Sequence, residues 1–356
     1  MTLSRTLVLA VLLLPASLLL PASALAVDPL FADDSQLDIT IRGPINLMDK
    51  EREKDKRYKG ATITFPDEAG NPTTIPVELE VRGNKRLSKR TCKFPPIKLV
   101  FDKDDTNGTL FHKQKKIKVV SQCDPMVHKY EGYVATEYLI YRSLNLLTDN
   151  SYRVRLANIR FEDNEGGFRH ESLSFFIEPN KRLAKRIDRD QLEIASTDAT
   201  FLNSAHMNLV SLFQFMIANT DWSATNGGNE ECCHNGKLFG EPKDPDYLYV
   251  PYDFDMTGLV DPAYGATDAS LGLYSIRERR YRGYCRNNEH LEENIALFNT
   301  LRPQIEALFT ESPHLSGRAK KSHIAYIDKF YTVINKEKLI DRKINGWCHA
   351  SRMVSR

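Results

Sequence analysis

The chain has 356 residues, 27% of them charged and 41% hydrophobic, with a formal net charge of +2. That balance fits a globular protein rather than a disordered one, and a charge so close to zero gives no electrostatic case for a nucleic-acid partner. The length suffices for one large domain or two linked ones.

Residues 1–26 read as a signal peptide. Arg5 supplies the positive start, Leu7 to Leu20 is apolar, and Ala24-Leu25-Ala26 fits the small-x-small cleavage rule, so the mature chain is expected to begin at Val27. Pro15 and Pro21 interrupt the apolar run and argue against a retained anchor. No later window of about 18 apolar residues reads as membrane-spanning. Removing this segment takes away one Arg and no acid, which lowers the formal charge to +1. The expectation is an exported protein, periplasmic or secreted. All six cysteines lie beyond the signal: Cys92, Cys123, Cys232, Cys233, Cys285 and Cys348. An even count in an exported chain favours disulfides. Cys92 with Cys123 and Cys285 with Cys348 are the expected pairs, and Cys232-Cys233 either bridge each other or stay reduced. Zinc is disfavoured, because there is no Cys-x-x-Cys followed by His-x-x-x-His.

The remaining elements follow in chain order. Leu37 to Ile41 alternates as a strand does. The mixed charges of Asp49 to Lys59 read as a solvated loop. Ala61 to Phe65, Ile75 to Val81, Ile97 to Phe101 and Lys116 to Val120 read as strands separated by turn signals at Asn71-Pro72 and Asp104 to Gly108. Tyr130 to Leu147 has helical spacing, with Val134, Tyr138, Tyr141 and Leu144 on one face. Arg153 to Phe161 and Glu171 to Ile177 form a hairpin across Asp163 to Gly167. Beyond Pro179 the pattern turns mostly helical, with helices predicted at 205–218, 289–309 and 319–338 and a strand at Tyr247 to Val250. Strands first and helices second predict an α+β chain. Its parts are a strand-rich meander over 27–177 and a helix-rich part over 178–356.

The chemistry-bearing stretch runs from Asn219 to Gly258. Asp221 follows the apolar helix 205–218. Phosphoryl transfer needs an acid that positions the attacking hydroxyl and takes its proton. It also needs carboxylate or carboxamide oxygens that hold Mg²⁺ or Mn²⁺ against phosphates. Asp253 and Asp255 follow the strand 247–250, and Asn235 or Asn226 supplies a carboxamide. Lys118, on a strand, and Glu137, on the next helix, stand in the order of a phosphate-binding Lys and its orienting Glu, with Lys98 and Lys116 as competitors. Arg82, Lys85 and Arg86 are further phosphate contacts. Gly-x-Gly-x-x-Gly, Gly-x-x-x-x-Gly-Lys-Ser/Thr, His-Glu-x-x-His and Gly-x-Ser-x-Gly are all absent. An ordinary protein kinase, a P-loop enzyme, a zincin and an α/β-hydrolase therefore lack their motifs. Arg277, Arg279, Arg280, Arg282 and Arg286 crowd around Tyr274, Tyr281 and Tyr284, and read as intramolecular pairing or as a surface for an acidic partner. His206 and His290 read as structural, and His234 stands beside Asn235.

Three blocks carry a resemblance to the CotH-type (spore coat protein H-like) atypical kinase family. They are Val81-Arg82-Gly83-Asn84-Lys85-Arg86 with Phe94-Pro95-Pro96-Ile97-Lys98-Leu99; Asn219-Thr220-Asp221 with His234-Asn235; and Pro251-Tyr252-Asp253-Phe254-Asp255. Together they span roughly residues 37–285. The resemblance implies a two-lobed atypical protein-kinase-like fold, with an antiparallel-sheet N-lobe over 27–177 and a mostly helical C-lobe over 178–356. It implies ATP with Mg²⁺ or Mn²⁺, and a protein hydroxyl as acceptor. It makes Asp221 the catalytic acid and Asp253 the metal ligand, with Asp255 beside it. The family has an Asn soon after the catalytic Asp. Here Ala224 to Cys233 looks like an insertion, which favours Asn235 over Asn226. Two other readings stand beside the kinase: an inactive kinase-like binding or surface-assembly module, and a Ca²⁺-stabilised exported protein that uses Asp253 and Asp255.

Overall fold

The computed structural model describes residues 28–227, 231–267 and 269–350, apart from the side chain of Lys85; the expected signal peptide, 1–26, lies outside the described residues. Seven strands form one sheet: β1 (Leu37–Gly43), β2 (Arg57–Pro66), β3 (Pro72–Val81), β4 (Ile97–Val100), β5 (Lys116–Ser121), β6 (Val154–Asp163) and β7 (Gly167–Ile177). Their order is β1-β2-β3-β4-β5-β7-β6, and the sheet closes on itself as a barrel. The expected meander is therefore corrected in two places. Strand β7 pairs with β5, and β6 closes against β1 in parallel, from Leu37 opposite Ala157 to Gly43 opposite Asp163. Period-two alternation reports which face a residue occupies but not which strand lies beside it, so closure was invisible to it.

Alternation fills the barrel. Ile39, Ile41, Ile63, Val77, Leu79, Leu99, Val119, Ile159 and Phe176 point inward into one buried core. Their chain neighbours Val120 and Phe175 point outward into a second core. Helix α2 (Lys129–Leu147) lies there on the outer wall, and its Tyr138, Tyr141 and Leu144 are buried. Helices α4 (Ser204–Ile217), α5 (Leu291–Glu311) and α6 (Gly317–Ile334) complete this second core, with Phe213, Phe298 and Phe330 inside it.

Two further expectations change. The charged run 49–59 is not a loop: it holds the end of α1 (Ile45–Glu51) and the start of β2. Ile45 and Met48 bury one side of that short helix, and Arg52 caps it with φ 50°. The Arg52 guanidinium is itself buried, donating to the carbonyls of Cys92 at 2.6 Å and Lys93 at 2.5 Å and to Asp49. The second half is also not only helical after α3 (Asn180–Arg186). Strands β8 (Asp190–Gln191), β9 (Gly236–Glu241) and β10 (Asp244–Pro251) form a three-stranded sheet. Among the described residues no helix is long and apolar enough to cross a membrane.

All six cysteines are bonded: Cys92–Cys123, Cys232–Cys233 and Cys285–Cys348. The first links residues 31 apart and the third residues 63 apart. Loop-closure entropy makes each worth about 4 kcal/mol against the unfolded chain. Thiol titration of the denatured, unreduced protein should find no free thiol. Replacing either long-range pair by serines should lower the melting temperature by several degrees; free thiols, or an unchanged melt, would contradict the pairing.

Candidate active site

Helix α4 ends in a left-handed cap at Ala218, φ 52°, which turns the chain sharply outward. Asn219 then shapes the following loop. Its side-chain oxygen accepts the Asp221 backbone N–H at 2.9 Å, and its carbonyl accepts the Trp222 indole N–H at 3.1 Å. The Asp221 carboxylate, half exposed, is thereby held at the loop tip. Ser223 bridges His234 in antiparallel register. This bridge brings two side chains onto Asp221. His234 Nε2 meets Oδ1 at 2.7 Å, while the Asn235 amide donates to Oδ2 at 3.1 Å and to the Asp221 carbonyl at 2.7 Å. Asn235, rather than Asn226, is the carboxamide beside Asp221; Asn226 bridges Ser196 instead.

The next residue, Gly236, is required by space. A Cβ there would lie 2.0 Å from the Tyr249 ring. The ring fits only because that Cβ is missing, and the Tyr249 hydroxyl reaches the His234 and Asn235 carbonyls at 3.0 and 3.1 Å. The Tyr252 N–H donates to the Asn235 carbonyl at 3.0 Å, which joins the Asp221 loop to the Pro251-Tyr252-Asp253-Phe254-Asp255 segment. Asp253 has φ 64°, and its N–H donates to the Tyr141 hydroxyl of α2 at 2.9 Å. Asp255 is 7% exposed. Its Oδ2 lies 3.5 Å from Arg86 Nη1 and accepts the Tyr264 hydroxyl at 3.2 Å.

Lys118 on β5 places its ammonium 4.4 Å from the centre of the Tyr252 ring. The expected Lys118–Glu137 ion pair is not formed. Glu137 points instead into the acids and arginines of the site, where it feels Asp255, Asp253, Arg86 and Arg82. The competitors of Lys118 are committed elsewhere: Lys98 and Lys116 bind Glu80 at 2.8 and 2.7 Å. Burial opposes the Glu80 charge, yet these lysines hold its carboxyl down to about 2. A cleft of about 610 Å³ opens beside Lys118, between the β4–β5 wall with Lys98 and Lys116 and the Ile177-Glu178-Pro179-Asn180 connection.

The electrostatics divide the site in two. Burial, then Asp253, push the Asp255 carboxyl up to about 6, with Arg86 opposing. Burial, then Asp255 and Asp253, raise the Glu137 carboxyl well above the usual range. Burial, then Arg82, push the Lys118 ammonium down to about 8, with Asp253 opposing. Burial is the first cause of all three shifts, so each group pays for desolvation of its charged form.

The donors suit a hard cation in chemistry, being two carboxylates and the carboxamide oxygen of Asn235. Among the described residues, however, no three His, Cys, Asp or Glu side chains converge as a ligand set.

Sequence reasoning missed Tyr141, Tyr264 and Arg282. Tyr141 stood one helical turn from Glu137 and was legible by spacing; the other two lie in irregular chain. The arginine-rich stretch is satisfied internally: Arg279 donates to the Met216 and Tyr326 carbonyls, Arg280 to Leu271, Arg286 to Ala199, and Arg277 pairs with Asp261. His206 is buried against the Tyr249 carbonyl, and His290 pairs with Glu289.

No family model and no curated protein matches this chain. Among solved structures, the crystal structure of the Helicobacter pylori proinflammatory kinase CtkA is similar to it with a TM-score of 0.35 and 9% identity, over 71% of this chain and 92% of that one. A likeness that weak supports neither a fold nor an activity.

Asp255 gives a pH test. Its folded value of about 6 exceeds the unfolded carboxylate value of about 4. The native state thus binds more protons between those values. The group favours the fold at low pH, and that contribution is lost as pH rises through about 6. The melting temperature of Asp255→Asn minus that of the wild type should rise from pH 4.5 to pH 7. A difference that stays flat would show that Asp255 is not held in this way.

Proposed function

We propose that this protein is a CotH-like atypical kinase of two-lobed type, exported, which transfers the γ-phosphoryl group of ATP to a protein hydroxyl with Mg²⁺ or Mn²⁺. One observation carries the reading. Arg86 contacts Asp255, the backbone carries on from Asp255 back to Asp253 and Tyr252, Tyr252 is bonded to Asn235 and Asn235 to Asp221, with Lys118 against Tyr252. This arrangement sets an anion-seeking wall, a cation-seeking pair of acids and a half-exposed carboxylate side by side. A metal-bound polyphosphate would bring a cation to the acids and an anion to Lys118 and Arg82.

In this reading the barrel's outer wall, with α2, forms the N-lobe and the helices after residue 178 form the C-lobe. The cleft beside Lys118 takes the nucleotide, and Lys118 and Arg82 meet its phosphates. Asp253, with Asp255 and the Asn235 oxygen, holds the cation, which when bound neutralises charge on the transferring phosphoryl group. Asp221 orients the acceptor hydroxyl and takes its proton. The acceptor oxygen bonds to phosphorus as the bridging bond to the β-phosphate breaks, and the nucleoside diphosphate leaves. His234 and Asn235 occupy one carboxylate oxygen each, which fixes the plane of the Asp221 carboxyl. The three disulfides and the lack of a membrane-crossing helix among the described residues are consistent with export.

A second reading, a kinase-like binding or surface-assembly module, is favoured by two features. Asp255 is engaged by Arg86 and Tyr264, and Glu137 leaves Lys118 unpaired.

Labelled ATP with Mn²⁺ or Mg²⁺ separates the two. For the kinase, nucleotide with metal should raise the melting temperature and label should pass to an acceptor protein or to the chain itself. Asp253→Asn and Lys118→Met should each cut transfer by about 100-fold or more while melting within a few degrees of the wild type. Binding without transfer would select the module, and neither binding nor transfer would end the kinase reading.

A further inference from the structure

We propose that Arg282 is the positioning residue that holds the Asp221 loop in its working shape, and that the Cys285–Cys348 disulfide holds Arg282 in place. The inference rests on Asp221 being the acid that orients the acceptor hydroxyl.

Asp221 touches the acceptor, but the peptide on either side of it decides where its carboxylate points. Arg282 binds both sides. Its Nη1 donates to the Thr220 carbonyl and, at 2.8 Å, to the Trp222 carbonyl. Its guanidinium also lies over the Trp222 indole, 5.5 Å from the ring centre. One guanidinium nitrogen thus joins the two carbonyls that flank Asp221, and the planar group over Trp222 restricts its rotation in a way that a flexible ammonium does not. Among the described residues the neighbouring arginines are bonded elsewhere. Arg277 pairs with Asp261, Arg279 donates to Met216 and Tyr326, Arg280 to Leu271 and Arg286 to Ala199.

The segment that presents Arg282 has no helix or sheet of its own and is fastened from outside. The His349 N–H donates to the Gly283 carbonyl at 2.8 Å, and the Cys285 N–H donates to the His349 carbonyl at 3.0 Å. Tyr284 bridges His349 in parallel register, and the Cys285–Cys348 bond seals the pair. Gly283 lets this zipped pair sit close to α4, since a Cβ there would fall 2.8 Å from the Ser211 Cβ. A path of covalent and hydrogen bonds thus runs from the C-terminal segment through Gly283 and Arg282 to Asp221.

The test compares the full exported chain with Arg282→Met, Arg282→Lys, Arg280→Met and the Cys285→Ser/Cys348→Ser pair. The readouts are hydrogen–deuterium exchange at 219–224 and the kcat and KM of label transfer from ATP. Arg282→Met should speed exchange at 219–224 roughly tenfold or more, since two charge-assisted bonds are lost. It should lower kcat about 100-fold with KM for ATP unchanged. Arg282→Lys, which keeps the charge but loses the planar group over Trp222, should fall between. Arg280→Met removes the same charge nearby and should match the wild type. The cysteine pair should loosen the same residues. Unchanged exchange at 219–224 in the Arg282 variants, or faster exchange with undiminished kcat, would overturn the proposal. Loss through KM instead of kcat would also overturn it. If the wild type itself transfers no label, the kinase reading fails alone, and the exchange measurements still decide whether Arg282 holds the loop.

Discussion

Three acids, Glu137, Asp253 and Asp255, meet three cations, Arg82, Arg86 and Lys118, between the outer wall of the barrel and the chain that follows β10. Buried like charges are costly unless opposite charges stand among them. This balance constrains everything around it. Helix α2 must be rotated so that Glu137 and Tyr141, one turn apart, both face the group. The chain after β3 must fold back so that Arg86 reaches Asp255 and the Ser121 carbonyl. Cys92–Cys123 ties that fold-back to the end of β5, where Lys93 and Phe94 also donate to the Cys123 carbonyl.

The Asp221 loop is stabilised differently. Asp221 and His234 are each about half exposed, so their shared bond is weak as a source of stability and useful mainly for orientation. Its rigidity comes from backbone fastenings: Asn219 below, the Ser223–His234 bridge across, Tyr249 behind and Arg282 on the far side. A buried charge cluster thus stands on one side and a backbone-clamped, half-exposed acid on the other.

Much of this was legible in the chain. Helices α2 and α4 announced themselves through apolar spacing, and the strands through alternation. Asp221, Asp253 and Asp255 were picked out by order along the chain, because each acid follows an apolar element, and Asn235 through the resemblance; the structure sets Asn235 against Asp221 and bonds it to Tyr252. The Lys118–Glu137 pair was not legible, since order alone cannot report how α2 is rotated or that Arg82 and Arg86 compete for Glu137. Barrel closure was hidden for a similar reason: β1 and β6 are joined by contacts such as Arg42 with Glu162, 120 positions apart. Tyr264 and Arg282 sit in irregular chain, where no periodicity exists to read. Helix α1 hid inside a charged run because only Ile45 and Met48 mark its buried side.

The parallel seam between β1 and β6 has one more consequence. A closed sheet has no edge strand, so its backbone groups offer no ladder that another chain can extend. It also cannot slip register at one strand without breaking the ring. The barrel strands therefore serve as a fixed wall, and any widening of the cleft falls to its other wall, the Glu178-Pro179-Asn180 connection and the start of α3. The moving parts beside the cleft should accordingly be sought there, not on the strands that carry Lys98, Lys116 and Lys118.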